Sequence, residues 1–171
     1  MLISVHHETA ADVPDIHRIN ASAFESEAEA NLVAALRQND ALTLSLVARV
    51  DGQVVGHIAF SEVLVRDPAG AEQIGIGLGP MAVDEHWRGQ GVGGQLIAAG
   101  LEQLRSQGHP FCVVLGQPDF YRNHGFKTSA PLGIRWEHKV PDEVFMVQAL
   151  RTDGLRGIKG LVSYRPEFGG V

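Results

Sequence analysis

The spacing of apolar positions changes several times along the chain, and each change marks an element. Leu2 to His7 reads as a short strand. Thr9 with Asp12 forms a capping signature for a helix running to about Phe24, and Ser26 with Glu29 repeats the signal for a second helix over about 27–38. That second helix carries Leu32, Val33 and Leu36 on one face. Thr43 to Val50 and Gln53 to Val65 are apolar, β-branched runs joined by Asp51-Gly52, the strongest hairpin signal in the chain, and predict a long antiparallel pair.

Arg66 to Glu72 is a polar turn, after which Ile74 to Val83 resumes as a strand interrupted by Gly75, Gly77, Gly79 and Pro80. Proline cannot donate to a ladder, so Pro80 predicts a bulge or a gap in pairing with a neighbouring strand. Val92, Leu96, Ile97, Gly100, Leu101 and Leu104 form one stripe of a helix over 92–107, ended by Gly108 and Pro110. Phe111 to Leu115 is short and wholly apolar, as an interior strand entered from a crossover helix should be. Strands 74–83 and 111–115 are therefore expected to be parallel neighbours. Pro118 to His124 predicts a short helix and Phe126 the start of another strand. Further strands are expected near 144–150 and 160–164, with no repeat or linker between them.

At 171 residues, 44% hydrophobic and 20% charged, the chain suits one globular domain with a sizeable core. It opens without a basic stretch ahead of a long apolar region, and no run reaches membrane-spanning length; a cytoplasmic protein without membrane contact is expected. The net charge of −6, with no local basic patch, argues against a nucleic-acid partner and would draw in a cationic amine. The single cysteine, Cys112, lies inside the apolar 111–115 run and is expected to be a core thiol, not a nucleophile. The eight histidines form no spaced ligand set, so no metal is expected.

The informative stretch is Gly89-Gln90-Gly91-Val92-Gly93-Gly94, where glycines open the long helix. They leave backbone N–H groups free at a helix start, an arrangement suited to an anion such as a phosphate. The G-x-G-x-x-G spacing admits a dinucleotide-binding oxidoreductase, but Asp84 to Arg88 intervene after the strand, and strand 111–115 ends in Leu115-Gly116 without an acidic residue. No Gly-Lys-Ser or Gly-Lys-Thr is present for a P-loop.

Val83 to Gly93 instead resembles motif A of the GNAT superfamily of acyl-CoA-dependent N-acetyltransferases, with Arg88, Gly91 and Gly93 in the key places and Glu85 where proline is usual. Tyr121-Arg122-Asn123-His124-Gly125-Phe126 is similar to the Y-x-x-x-G-F that follows the next strand in that superfamily. The resemblance covers about residues 2–128, with 131–171 as a strand-rich completion, and the tail looks like a bacterial branch of these enzymes. It implies an α/β fold: a central mixed, mostly antiparallel twisted sheet with helices on both faces, whose parallel strand pair splays at a coenzyme A cleft.

The same resemblance implies that acetyl-CoA is the cosubstrate. Main-chain groups of Met81, Ala82 and Val83 would bind its pantetheine amides. N–H groups of Gly89, Gln90, Gly91, Val92, Gly93 and Gly94 would cradle the diphosphate, with Arg88 assisting. The acceptor would be a small-molecule or peptide amine attacking the thioester directly in a ternary complex, with the Tyr121 hydroxyl serving the leaving thiolate. Strand 74–83 lacks the acidic side chain often found there in relatives. The proton acceptor is then open among Glu62 and His57, with Asp84, Glu85 or a water chain as alternatives. That missing carboxylate also motivates a second expectation, a non-catalytic acyl-CoA sensor or interaction module. Strand 144–150 offers an edge for a homodimer.

Overall fold

In a computed structural model, which describes residues 2–171, the chain forms two compact units. The first comprises Met1–Ser61, Gly79–Glu102 and Pro166–Val171, and the second Glu62–Leu78 and Gln103–Arg165.

The first unit opens with β1 (Ile3–His7), α1 (Val13–Phe24) and α2 (Ala28–Gln38). The Thr9–Asp12 capping signature is present: the Thr9 backbone N–H donates to the Asp12 carboxylate at 2.8 Å, and the Thr9 hydroxyl does so at 3.1 Å. Asp12 is buried, and its charge is matched by Arg49, which donates to both carboxylate oxygens at 2.9 and 3.0 Å. The hairpin of β2 (Leu44–Val50) and β3 (Gln53–Arg66) turns on Asp51 and Gly52, both at positive φ as a primed two-residue turn requires. β1 pairs antiparallel with β2 and β2 with β3, while β4 (Glu72–Val83) lies on the other side of β3.

Alternate residues of β3 face different helices. His57 reaches Asn20 of α1, whereas Gly56 and Phe60 face α3 (Val92–Ser106), so this part of the sheet has helices on both faces as expected. The predicted α3 stripe is the one that is buried, from Val92 through Leu96, Ile97 and Leu101 to Leu104. A Cβ on Gly100 would stand 2.5 Å from the Phe60 ring, so the glycine in that stripe lets the ring lie flat against the helix.

In the second unit β4 runs parallel to β5 (Phe111–Leu115), but the ladder covers only Ile76–Leu78 against Cys112–Val114. It ends one residue before Gly79-Pro80, whose peptide bond is cis. β5 then pairs antiparallel with β8 (Phe145–Ala149), and β8 with β6 (Lys127–Thr128). β9 (Gly160–Ser163) pairs antiparallel with the end of β3 and parallel with β7 (Ile134–Trp136). The core here is Val63, Val65, Phe111, Val113, Ile134, Phe145, Val147 and Val162.

Several expectations need correction. β7 has three residues and the 3₁₀ turn Pro166–Gly170 five, both too short to show a period in the chain. Phe126 is a buried core residue preceding β6, not a strand residue. β8, which was expected to offer a homodimer edge over 144–150, is bonded by β5 along its whole length and by β6 at Met146 and Val147.

One buried polar chain links four elements of the first unit. Asn20 Nδ2 donates to Ile16 O at 3.0 Å and lies 3.1 Å from His57 Nδ1; with that amide as donor, His57 carries its proton on Nε2, 2.9 Å from Ser45 Oγ. The Ser45 hydroxyl donates to Glu8, which Arg37 grips with two bonds of 2.7 and 3.0 Å. Burial pushes the Glu8 carboxyl up, but its bonds from Arg37 and Ser45 outweigh this and hold it below its ordinary value.

Burial pushes the His57 pKa from 6.5 down to about 4; the Glu8 charge opposes the shift and the Arg37 charge adds to it. The unfolded chain therefore binds a proton that the fold refuses, so this stability is full above pH 6.5 and is lost as pH falls toward 4. His57→Gln cannot titrate, and its melting temperature should fall less steeply than that of the parent between pH 6.5 and 4. Equal slopes would contradict the account.

Candidate active site

Everything assigned to anion and main-chain binding lies in the first unit, on one continuous stretch from the end of β4 to the start of α3. Asp84 ends the strand: its N–H donates to Val55 O at 2.8 Å, while its own Oδ1 accepts the His86 N–H at 3.0 Å and caps the 3₁₀ turn Glu85–Trp87. Its other oxygen lies 3.5 Å from Arg18. Asp84 is thus occupied in shaping the loop, and Glu85, the other hinge acid, is exposed.

Gly89 and Gly91 sit at φ +75° and +86°, a left-handed conformation costly for residues with a Cβ, yet no heavy atom lies within 4 Å of where that Cβ would be. Backbone shape demands these glycines, and the space around them is open. The first helical bond of α3 runs from Gln95 N–H to Gly91 O at 3.1 Å, so the N–H groups of Val92, Gly93 and Gly94 precede the helical ladder. Amides at a helix start carry the positive end of the dipole, worth roughly 0.3–1 kcal/mol for each favourable charge and about 2 when partly buried. Several together form a cradle for a multiply charged anion.

Two side chains brace the loop. Arg88 Nε donates to Val83 O at 3.3 Å, drawing the guanidinium back to the strand end, and Gln90 Nε2 donates to His86 O at 3.3 Å. The position of α3 depends on Gly56, which sequence reasoning missed: a Cβ there would stand 2.8 Å from Val92 and 3.1 Å from Leu96. The only signal was a glycine in a β-branched run, which marks close approach without naming the partner.

His57 is excluded as a proton acceptor. It is wholly buried, and both ring nitrogens are engaged by Asn20 and Ser45. Cys112 is likewise buried, with its thiol pushed well above the ordinary value by burial, as a core cysteine should be.

The second unit holds Glu62 and Tyr121. Glu62 is exposed on β3. Tyr121 lies on the short helix α4 (Pro118–Arg122), where its ring packs edge-on against Phe120 and Phe126 with centroids 5.0 and 5.8 Å away. A Cβ on Gly116 would lie 2.4 Å from that ring, so Gly116 provides its seat. Gly125, at φ +91°, turns the chain after the helix and Phe126 N–H returns to Tyr121 O at 3.2 Å. The spacing of Tyr121, Gly125 and Phe126 is therefore a structural unit around the tyrosine.

Comparison with known proteins places the fold. Residues 42–128 match the acetyltransferase (GNAT) domain, and the chain belongs to that family of enzymes. It is 42% identical over 169 residues to the uncharacterised N-acetyltransferase YhbS of Escherichia coli strain K12, covering 98% of each protein. The crystal structure of the Escherichia coli YhbS protein in complex with CoA is similar at a TM-score of 0.90 and 40% identity, over 98% of this chain and 92% of that one. A Brucella melitensis GNAT acetyltransferase in complex with acetyl-CoA matches at a TM-score of 0.80 and 38% identity, over 98% of both chains.

Both tyrosines of the chain, Tyr121 and Tyr164, are perturbed in one direction. Burial pushes the Tyr121 phenol up to about 12, and Tyr164 is raised further by the same cause. An ultraviolet titration should therefore show no tyrosinate absorbance near pH 10 while the fold persists. A tyrosine ionising there would contradict the buried placement.

Proposed function

We propose that this acetyltransferase moves the acetyl group of acetyl-CoA to a primary amine by direct attack within a ternary complex, with the whole chain serving one catalytic domain. The observation that carries the reading is the open amide cradle: two left-handed glycines and the first N–H groups of α3, continuous with the main chain of Met81–Val83. A coenzyme A diphosphate fits the donors present, since they are multiple and the space at Gly89 and Gly91 is open. The CoA and acetyl-CoA complexes of the two relatives support the same assignment.

In this reading the N–H groups of Gly89 to Gly94 hold the diphosphate, and Arg88 adds its free guanidinium nitrogens. Backbone groups of Met81, Ala82 and Val83 pair with the pantetheine amides, and an N–H of Met81 or Val83 polarises the thioester carbonyl. The neutral amine forms the new C–N bond, the C–S bond breaks, and the amine's proton passes to Glu62 directly or through water. Tyr121 supplies a proton or hydrogen bond to the departing sulfur; burial keeps its hydroxyl protonated through the neutral range, as a donor requires. The net charge of −6 favours a cationic acceptor approaching from solution.

Release of CoA thiol from acetyl-CoA, measured across a panel of amines, tests the reaction. Rates that stay at background hydrolysis with every amine, in protein that still binds CoA, would favour an acyl-CoA sensor. Gly91→Val forces a β-branched residue into positive φ and should weaken CoA binding by at least about tenfold, ~1.4 kcal/mol, in a calorimetric titration. Tyr121→Phe should lower kcat on the order of 10²-fold with little change in KM. Unchanged turnover in that variant would remove Tyr121 from the mechanism.

A further inference from the structure

The carboxyl-terminal 3₁₀ turn, Pro166–Gly170, belongs to the first unit, where it packs against α2 and is tied to it by Asn39 Nδ2 donating to Glu167 Oε2 at 2.9 Å. This tether places the half-buried ring of Phe168 beside β4: its Cε2 lies 3.8 Å from where a Cβ on Gly79 would be. Gly79 has φ +153°, so any side chain at that position would be strained as well as aimed at the ring.

Gly79 matters because of its distance from the cradle. An arm anchored at Gly89–Gly94 and laid back along β4 passes Val83 and then Met81. Four residues of extended strand, roughly 13 Å, separate Val83 from Gly79. With the thioester carbonyl at the Met81 N–H, one of the two positions named above, the acyl group would lie toward Gly79, the residue that Phe168 overlies.

We propose that Phe168 is a specificity-determining residue whose ring forms the end wall of the acyl site and restricts the donor to acetyl. The assignment rests on the acetyl-CoA reading given above. An aromatic wall is suited to the task, being apolar toward a methyl group and stiff, with only two side-chain torsions. In an apolar pocket one methylene too many is discriminated by about 10–200-fold.

Calorimetric titration of the full chain with CoA, acetyl-CoA and butyryl-CoA reads the wall without needing the amine. The parent protein should bind butyryl-CoA at least about tenfold more weakly than acetyl-CoA. Phe168→Ala should recover most of that difference while leaving CoA affinity unchanged, and Phe168→Leu, which keeps an apolar side chain of intermediate size, should recover part of it. Melting temperatures establish that each variant is folded; should the alanine variant not fold, the leucine variant carries the comparison. A ratio of butyryl-CoA to acetyl-CoA affinity unchanged by either substitution would overturn the role of Phe168 alone, as would a parent protein that binds both thioesters equally. A parent protein that binds neither CoA nor acetyl-CoA would overturn the proposed function, and this assignment with it.

Discussion

The proposed site depends on backbone amides that precede the hydrogen-bonded ladder of one helix. An α-helix cannot bond its own first N–H groups, and here the chain reaches α3 through glycines in left-handed conformations that add no side chain to cover them. The amides are therefore presented to the solvent side as a group. Their usefulness depends on rigidity, and that comes from below: Gly56 lets Val92 and Leu96 settle onto β3, and Asp84 caps the turn that links strand to helix. A cradle of main-chain dipoles contributes strongly to anion binding only when such packing fixes it beforehand.

The polar interior of the first unit serves the same end. Apolar contacts of Ile16, Ile19, Val33, Val47, Val54 and Ala82 hold α1 and α2 to the sheet without specifying orientation strongly. Directional bonds from Asn20 through His57 and Ser45 to Glu8 and Arg37 do specify it, since each buried group there would cost free energy if left unpaired. A histidine that looks like a base on paper is better understood as a structural amphoteric link, donating at one nitrogen and accepting at the other. In the second unit the comparable device is aromatic, with Phe120, Phe126 and the bare Gly116 holding Tyr121 in place.

Local chemistry was legible in the residues alone wherever one short segment decided the outcome. The Asp51-Gly52 turn, the Thr9–Asp12 cap, the α3 stripe and the glycine loop each follow from propensities acting over a few residues. The parallel placement of β4 against β5 also followed, because a helix long enough to cross the sheet separates them. The family resemblance rested on the same local segments, which is why it was readable without a fold. Features set by distant partners were not legible: the three-residue β7, the partners of β8, the clearance around Gly56 and the neighbours of His57.

The amino-acid sequence by itself determined the order of elements from β1 to β5, the glycine loop ahead of α3 and the tyrosine unit, because each is encoded by spacing within one segment. Only the tertiary structure decided that His57 is sealed in a hydrogen-bonded interior and that Phe168, at the far end of the chain, lies against Gly79. Those outcomes depend on which surfaces meet after the chain has closed on itself. Burial and proximity between residues many positions apart leave no periodic trace in the chain.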